Sequence, residues 1–163
     1  MKKNKNNQLL LTGLVISLVV FSAFSKADKP SGNLAEQLIG EWRNVYLKII
    51  IHNKSKPQEI VQADSTNWET RLGIKPIRTY FLENGTYYSE YRNLKDSVVR
   101  KASGTWSLKK GDSIIMTQLS PDKSVLKLKM QIINDHATFT GLIDFDGEGI
   151  DNDEYFGIHK KFK

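Results

Sequence analysis

The sequence predicts an all-β fold, an antiparallel up-and-down meander that closes into a barrel of about eight strands with one short helix. After residue 38, runs of alternating apolar and polar residues are separated by turn residues about every 8 to 12 positions. Connections this short force neighbouring strands to run antiparallel. No predicted helix is long enough to cover a sheet, and closure into a barrel removes the exposed edges that an open sheet would keep.

The first predicted strand covers 41–52 and is rich in β-branched residues. Its apolar positions change parity, from Trp42 and Tyr46 to Val45 and Leu47. Because alternate residues of a strand face opposite sides of the sheet, this change predicts a bulge or bend within the strand.

A hairpin is predicted over 77–93, because Asn84 and Gly85 are the residue types that a tight two-residue turn requires. Such a turn pairs Tyr80 with Ser89 and places the candidate ligand-binding residues on one face of the hairpin. These residues are Arg78, Tyr80, Tyr87, Ser89 and Tyr91.

Five further strands are predicted at 98–108, 113–119, 125–133, 137–145 and 154–161.

A two-turn helix is predicted at 64–73. Thr66 and Glu69 have the spacing of a capping box, Trp68 lies on the apolar face, and Gly73 is a natural stop. It could close one end of the barrel. The alternative is a surface turn with Trp68 packed against the sheet.

The chain is predicted to consist of a signal peptide at 1–27, a polar segment at 28–37 and one barrel domain at 38–163. We expect cleavage after Ala27 and release into the periplasm or the medium. An uncleaved anchor is the alternative, but the apolar run 9–24 is shorter than the roughly 20 residues that span a bilayer. The sequence has no Cys, which excludes disulfides, thiolate metal sites and a lipid-modified cysteine.

The net charge of +6 suggests a nucleic-acid or membrane partner, but its distribution argues against a nucleic-acid footprint. Four basic residues and no acidic residue precede Asp28, which leaves 20 bases against 18 acids in the remainder of the chain. We therefore expect no nucleic-acid partner and no stable membrane insertion after removal of the leader.

Four short motifs resemble the lipocalin-like family, in particular the short exported lipocalin-like proteins of Bacteroidetes. They are Gly40-Glu41-Trp42 at the start of the first strand, Gly85-Thr86-Tyr87 in the hairpin, Gly104-Thr105-Trp106, and the closing segment 153–161. The resemblance implies a barrel with Trp42 packed under one end and a basic residue of the last strand, Lys160 or Lys161, lying across it. It also implies a ligand held in the barrel interior.

The Gly-x-Trp pair can also be explained physically, without the family resemblance. Gly40 permits a close backbone turn into the strand, and Trp42 can fill a barrel end that smaller side chains would leave void. The same reasoning predicts that Trp106 is a core residue.

The sequence offers few of the parts that catalysis needs. His52, His136 and His159 lack the spacing of a metal-binding pair, and there is neither a Gly-x-Ser-x-Gly elbow nor a glycine-rich phosphate loop. We therefore expect a protein that is not an enzyme and has no cofactor.

The segment 144–154 contains six acidic residues and no basic residue. Its first half is similar to a calcium-binding loop, which makes a weak calcium site the sharpest metal hypothesis. Its candidate ligands are Asp144, Asp146, Glu148 and Asp151. A solvated turn, in which Asp and Gly are present for their backbone angles, is the favoured alternative.

Two functions remain open. The first is a non-catalytic exported lipocalin-like protein that binds a small apolar or amphipathic ligand in the barrel. The second is a barrel filled by its own side chains that acts as an envelope-associated module and binds a protein or a glycan through its loops and tyrosines. The direction of the face carrying Tyr80, Tyr87 and Tyr91 discriminates between them.

Overall fold

The computed structural model describes residues 33–53 and 56–162, and they form the predicted all-β fold. The predicted signal peptide and the first residues of the polar segment lie outside these ranges. The elements are α1 (Asn33–Leu38), β1 (Gly40–Ile51), β2 (Glu59–Asp64), α2 (Trp68–Leu72), β3 (Arg78–Phe81), β4 (Thr86–Arg92), β5 (Val98–Lys109), β6 (Ser113–Ser120), β7 (Ser124–Ile133), β8 (His136–Ile143) and β9 (Asp153–Phe162).

The strands form one antiparallel sheet that closes on itself. From β3 to β9 each strand pairs with its neighbour along the chain, and β1 pairs with both β3 and β9. This ring contains eight strands, as the sequence predicts. Closure leaves none of these eight at an open sheet edge.

The ninth strand, β2, extends the edge of β1 that β3 occupies. β2 pairs with Tyr46–Ile51 of β1, and β3 pairs with Gly40–Arg43. Since β9 takes the other edge of β1, β2 and β3 lie in line and run in the same direction. Together they fill one strand position of the barrel, and the segment that connects them leaves the barrel wall and contains α2. β2 was not predicted, because apolar and polar residues alternate only weakly along it.

The helix at Trp68–Leu72 is shorter than predicted and begins differently. The hydroxyl of Thr66 donates a hydrogen bond to Asp64 over 2.6 Å, and the N-cap residue is Asn67 with no side-chain cap, so the predicted capping box does not form. Gly73 ends the helix in the left-handed conformation, as predicted, and Trp68 is buried.

A second helix, α1, occupies residues that were predicted to be an irregular polar segment. Ala35 and Leu38 are almost fully buried and pack with Trp42. The indole Nε1 of Trp42 donates a hydrogen bond to the Leu38 carbonyl oxygen over 2.6 Å. α1 therefore covers one end of the barrel, which we call the closed end.

The predicted bulge in the first strand is confirmed. The pairing of β1 with β9 shifts register between Asn44 and Tyr46, so Val45 is an extra residue. Trp42 and Asn44 face the interior before the bulge, and Leu47 and Ile49 face it afterwards. One strand can thus keep its apolar residues inside along its whole length.

The predicted register of the hairpin is wrong by one residue. The turn has three residues, Glu83 to Gly85, with only Gly85 in the left-handed region, at φ 77°. The extra residue pairs Tyr80 with Tyr88 instead of Ser89. As a consequence, the hairpin face defined in the sequence analysis is divided between the two sides of the barrel wall.

The main core fills the closed half of the barrel. It contains both tryptophans that were predicted to be core residues. Its members are Ala35, Leu38, Trp42, Phe81, Tyr87, Trp106, Ile114, Leu128, Met130, Ala137 and Phe139.

Of the two basic residues expected to lie across Trp42, the structure places Lys161 there and not Lys160. The Lys161 ammonium lies 5.4 Å from the centre of the Trp42 ring and donates a hydrogen bond to the Gln37 carbonyl oxygen. Lys160 faces the opposite side of β9 and lies 3.8 Å from Asp135. Odd-numbered positions of β9 face inward, and only Lys161 has that parity.

None of the helices in the described part of the chain has the length and hydropathy needed to cross a bilayer.

We predict that Trp42→Ala lowers the free energy of unfolding by about 3 to 5 kcal/mol, because it removes a fully buried indole and leaves a cavity in the core. Leu82→Ala, at an exposed position of the neighbouring hairpin turn, is the matched control and should change stability little. Denaturant unfolding measures both. Equal stability of the two variants would contradict the assigned role of Trp42.

Candidate ligand-binding cavity

The half of the barrel opposite α1 contains a cavity of about 290 Å³. Its floor includes Phe81, Leu128 and Phe139, which belong to the main core. Phe145, which is 47% exposed, lies at its mouth. The barrel is thus filled by its own side chains at the closed end and open to a small molecule above them.

One wall of the cavity is apolar. It is formed by strands β6, β7 and β8 and by the loop that follows β8. Its side chains are Met116, Leu126, Leu128, Phe139, Ile143 and Phe145.

The opposite wall carries four polar side chains, which we call the polar band: Asn44, Thr79, Ser89 and His159. They come from β1, β3, β4 and β9. The Asn44 amide nitrogen lies 3.1 Å from His159 Nε2, and the hydroxyl oxygens of Thr79 and Ser89 are 2.8 Å apart. Thr79 and Ser89 are also direct partners in the pairing of β3 with β4, as Asn44 and His159 are in that of β1 with β9.

The polar band lies directly above the closed-end core. Asn44 is the next inward-facing residue after Trp42, and Ser89 is the next after Tyr87. Thr79 and His159 have the same relation to Phe81 and Lys161. Each of the four strands therefore changes from a core or covering side chain to the polar band within two residues, at the level of the cavity floor.

His159 is neutral at ordinary pH, because burial lowers its pKa to about 4. Its ring packs edge-on against Phe139, with the ring centres 4.9 Å apart. In the described part of the chain, Nδ1 of His159 is buried and has no hydrogen-bond partner. An unpartnered buried nitrogen is costly unless a bound molecule satisfies it.

Tyr155 adds a hydroxyl above the polar band. Its side chain folds back over Gly157, where a Cβ atom would lie 2.4 Å from the tyrosine oxygen. Glycine at 157 therefore leaves the room that the Tyr155 hydroxyl occupies. Burial raises the pKa of Tyr155 above its usual value, and the nearby Tyr91 raises it further.

The described residues that line the cavity include no Asp, Glu, Lys or Arg. Since His159 is also neutral, nothing in this lining carries a charge at neutral pH. The cavity can offer hydrogen bonds and apolar contact but no ion pair.

The structure divides the predicted ligand-binding residues. Ser89 and Tyr91 line the cavity, and Tyr87 faces inward but packs into the core beneath it. Arg78 and Tyr80 face outward: Arg78 pairs with Asp96 over 2.9 Å, and Tyr80 stacks on Tyr88 at 4.5 Å. The one-residue error in the predicted hairpin register explains why Arg78 and Tyr80 were placed on the wrong side of the barrel wall.

Asn44, Thr79 and His159 were missed as cavity residues. In the sequence, each is a polar residue two positions from an inward-facing side chain of the closed end. This pattern can be recognised only when the position of the bulge at Val45 and the register of the hairpin are known.

The acidic segment forms the connection between β8 and β9. A carboxylate oxygen from each of Asp144, Asp146 and Asp153 lies within 4.8 Å of the others. Of the predicted calcium ligands, Glu148 and Asp151 are not part of this group. Glu148 instead accepts a hydrogen bond from the Asn152 side-chain amide over 2.7 Å.

Backbone N–H groups of the loop already bind these carboxylates. Asp153 is fully buried and accepts hydrogen bonds from the backbone of His52, Phe145 and Asp146. Burial alone would raise the pKa of Asp153, but these three donors outweigh it and hold the pKa below its usual value. Asp144 likewise accepts from the backbone of Gly149. Backbone amides of the loop, together with that of His52, organise these carboxylates, and the calcium site stays a prediction.

No protein-family model matches the chain, and no curated protein is significantly similar to it.

We predict that the partly buried, neutral His159 makes the fold sensitive to mild acid. The unfolded chain takes up the proton at a pKa of 6.5 and the folded chain only at about 4, so stability is lost as pH falls from 6.5 towards 4. Between pH 7 and pH 5 the loss should be roughly 2 kcal/mol. The His159→Gln variant has no imidazole to protonate, so its loss of stability between pH 7 and pH 5 should be smaller than that of the wild type by this amount. Denaturant unfolding at both pH values measures the difference, and equal losses would contradict the assignment.

Proposed function

We propose that this protein is a non-catalytic, exported, lipocalin-like protein that binds a small apolar or amphipathic molecule inside its barrel. The observation that carries the proposal is the cavity above the core, with an apolar wall on one side and the polar band on the other. Ligand pockets in proteins commonly combine mostly apolar walls with a few polar groups that fix orientation.

The cavity volume limits the size of the ligand. At about 290 Å³ it lies at the lower end of the range of about 300 to 1,000 Å³ for small-molecule pockets. It is about twice the roughly 150 Å³ of an engineered apolar cavity that accepts benzene. A molecule of about two fused rings, or a short acyl chain, is of suitable size.

The environment of the three histidines supports a non-catalytic role. His159 pairs with an amide, whereas His52 and His136 pair with carboxylates at exposed positions. The hydroxyls of Thr79 and Ser89 bond to each other, so neither has a histidine as its general base in the described structure.

Membership of the lipocalin-like family is supported by the eight-stranded antiparallel barrel and by its closed end. Trp42 fills that end and Lys161 lies across it, which is the arrangement that the sequence resemblance implies. Export, and a location in the periplasm or the medium, are proposed on the apolar leader of the sequence.

An exterior aromatic pair favours a second candidate, a module that binds a protein or a glycan. Tyr80 and Tyr88 stack with their rings 15° from parallel, and the Lys101 ammonium lies 4.2 Å from the Tyr88 ring centre. Partly exposed tyrosines flanked by charge are typical of recognition surfaces. Tyr88 lies outside the cavity, so replacing it by Ser separates the two functions.

We predict that naphthylamine, a neutral two-ring dye whose emission depends on the polarity of its surroundings, binds the protein saturably at one site. Leu126→Trp places a large ring in the cavity and should weaken binding at least about tenfold. Lys127→Trp makes the same change at the next, exposed residue of β7 and is the matched control. Fluorescence titration measures affinity, and thermal melting confirms that both variants are folded.

Two results would count against a cavity ligand. One is dye binding that does not saturate, and the other is equal weakening by the two tryptophan variants. Either result would favour the exterior surface at Tyr80 and Tyr88.

A further inference from the structure

The polar band has more hydrogen-bonding capacity than its own members use. Asn44, Thr79 and Ser89 are 4%, 5% and 7% exposed. In the described structure the four side chains form two hydrogen bonds among themselves, Asn44 to His159 and Thr79 to Ser89. An amide, an imidazole and two hydroxyls together offer several further donors and acceptors, including the unpartnered Nδ1 of His159.

Buried polar groups with free capacity require a partner, because leaving them unsatisfied costs free energy. The cavity beside the band is the space in which such a partner can lie. This capacity identifies the band as the attachment point for the polar part of a ligand.

The partner must be uncharged. Among the described lining residues, none carries a charge at neutral pH that could compensate an ionised group on the ligand. An ion buried without a counter-charge loses its hydration and gains nothing comparable in return. Carboxylates, phosphates and ammonium groups are therefore disfavoured in the cavity.

The positions of the polar and apolar residues also fix the direction of the ligand. The polar band lies at the floor, directly above Trp42 and Tyr87. Above the band the Tyr155 hydroxyl adds one more polar group, and the other side chains towards the mouth are mostly apolar, among them Ile49, Ile143 and Phe145. A molecule that satisfies both regions has its polar group at the bottom and its apolar body towards the mouth.

We propose that the ligand is a neutral molecule with an apolar body and one hydroxyl, carbonyl or amide group, which enters the barrel polar group first and hydrogen-bonds to the polar band. This inference rests on the proposed function, since it requires that the cavity binds a ligand. It adds the chemical class of that ligand and its orientation.

The test compares three molecules with the same two-ring body: naphthol, naphthalene and naphthoate. Isothermal titration calorimetry at neutral pH gives their affinities. We expect naphthol to bind about tenfold more tightly than naphthalene, because its hydroxyl satisfies the band. Naphthoate, ionised at this pH, should bind most weakly of the three.

The double variant Thr79→Val with Ser89→Ala removes two hydroxyls from the band. Its affinity for naphthol should fall to that for naphthalene, and naphthalene should bind at least as tightly as to the wild type. The matched control is Thr138→Val with Ser107→Ala, the same two changes at outward-facing positions of β8 and β5. The control should keep the preference for naphthol. If the double variant fails to fold, Ser89→Ala alone should reduce the preference for naphthol over naphthalene in the same direction.

Three results would overturn the inference: no preference for naphthol over naphthalene, naphthoate binding as tightly as naphthol, or a preference that survives loss of the two hydroxyls. If naphthalene binds saturably in such a case, the proposed ligand-binding function stands and only the neutral, polar-group-first mode is lost. If none of the three molecules binds, the proposed function itself fails.

Discussion

The extra residue in β1 determines what the inside of this barrel contains. β1 pairs with β9 on both sides of Val45, so the strand remains part of the closed ring while its inward-facing parity changes. Trp42 and Asn44 point inward below the bulge, and Leu47 and Ile49 point inward above it. Without the extra residue, the apolar side chains of one half of β1 would face water, because a shift of one residue reverses every side chain.

The same strands that build the core also build the floor of the cavity. β1, β3, β4 and β9 each supply a core or covering side chain at the closed end and, two residues further on, one member of the polar band. The packing of Trp42, Phe81 and Tyr87 therefore holds the band in place. A rigid floor of this kind lowers the cost of ordering a ligand, since the binding groups are positioned before it arrives.

The division of the barrel into two halves explains why the sequence supports two opposed expectations, a barrel filled by its own side chains and a barrel that holds a ligand. Large aromatic side chains fill the closed half, where α1 and Trp42 exclude water. In the other half, short polar side chains such as Ser89 leave space that no side chain occupies. Each expectation describes one half of the same interior.

The sequence predicts the fold class, most strands and the bulge, because these follow from the alternation of apolar residues. It does not predict α1 or β2, whose short mixed sequences become regular through contact with the barrel wall. The hairpin register depends on the length of its turn. The turn has three residues instead of the predicted two, and Arg78 and Tyr80 therefore face outward. Asn44, Thr79 and His159 lie far apart in sequence and form a band only through strand pairing, so no local pattern marks them. The difference between Lys160 and Lys161 depends in the same way on the parity of β9.

A crystal structure with bound bromonaphthol would show whether the barrel holds a neutral ligand above its core. We expect one molecule in the cavity, with its hydroxyl within hydrogen-bond distance of Ser89 or His159. The anomalous signal of its bromine should lie towards Ile143 and Phe145. A cavity closed by the protein's own side chains would show that the barrel holds no ligand, and a hydroxyl at the mouth with the bromine beside the polar band would show that the ligand enters the other way round.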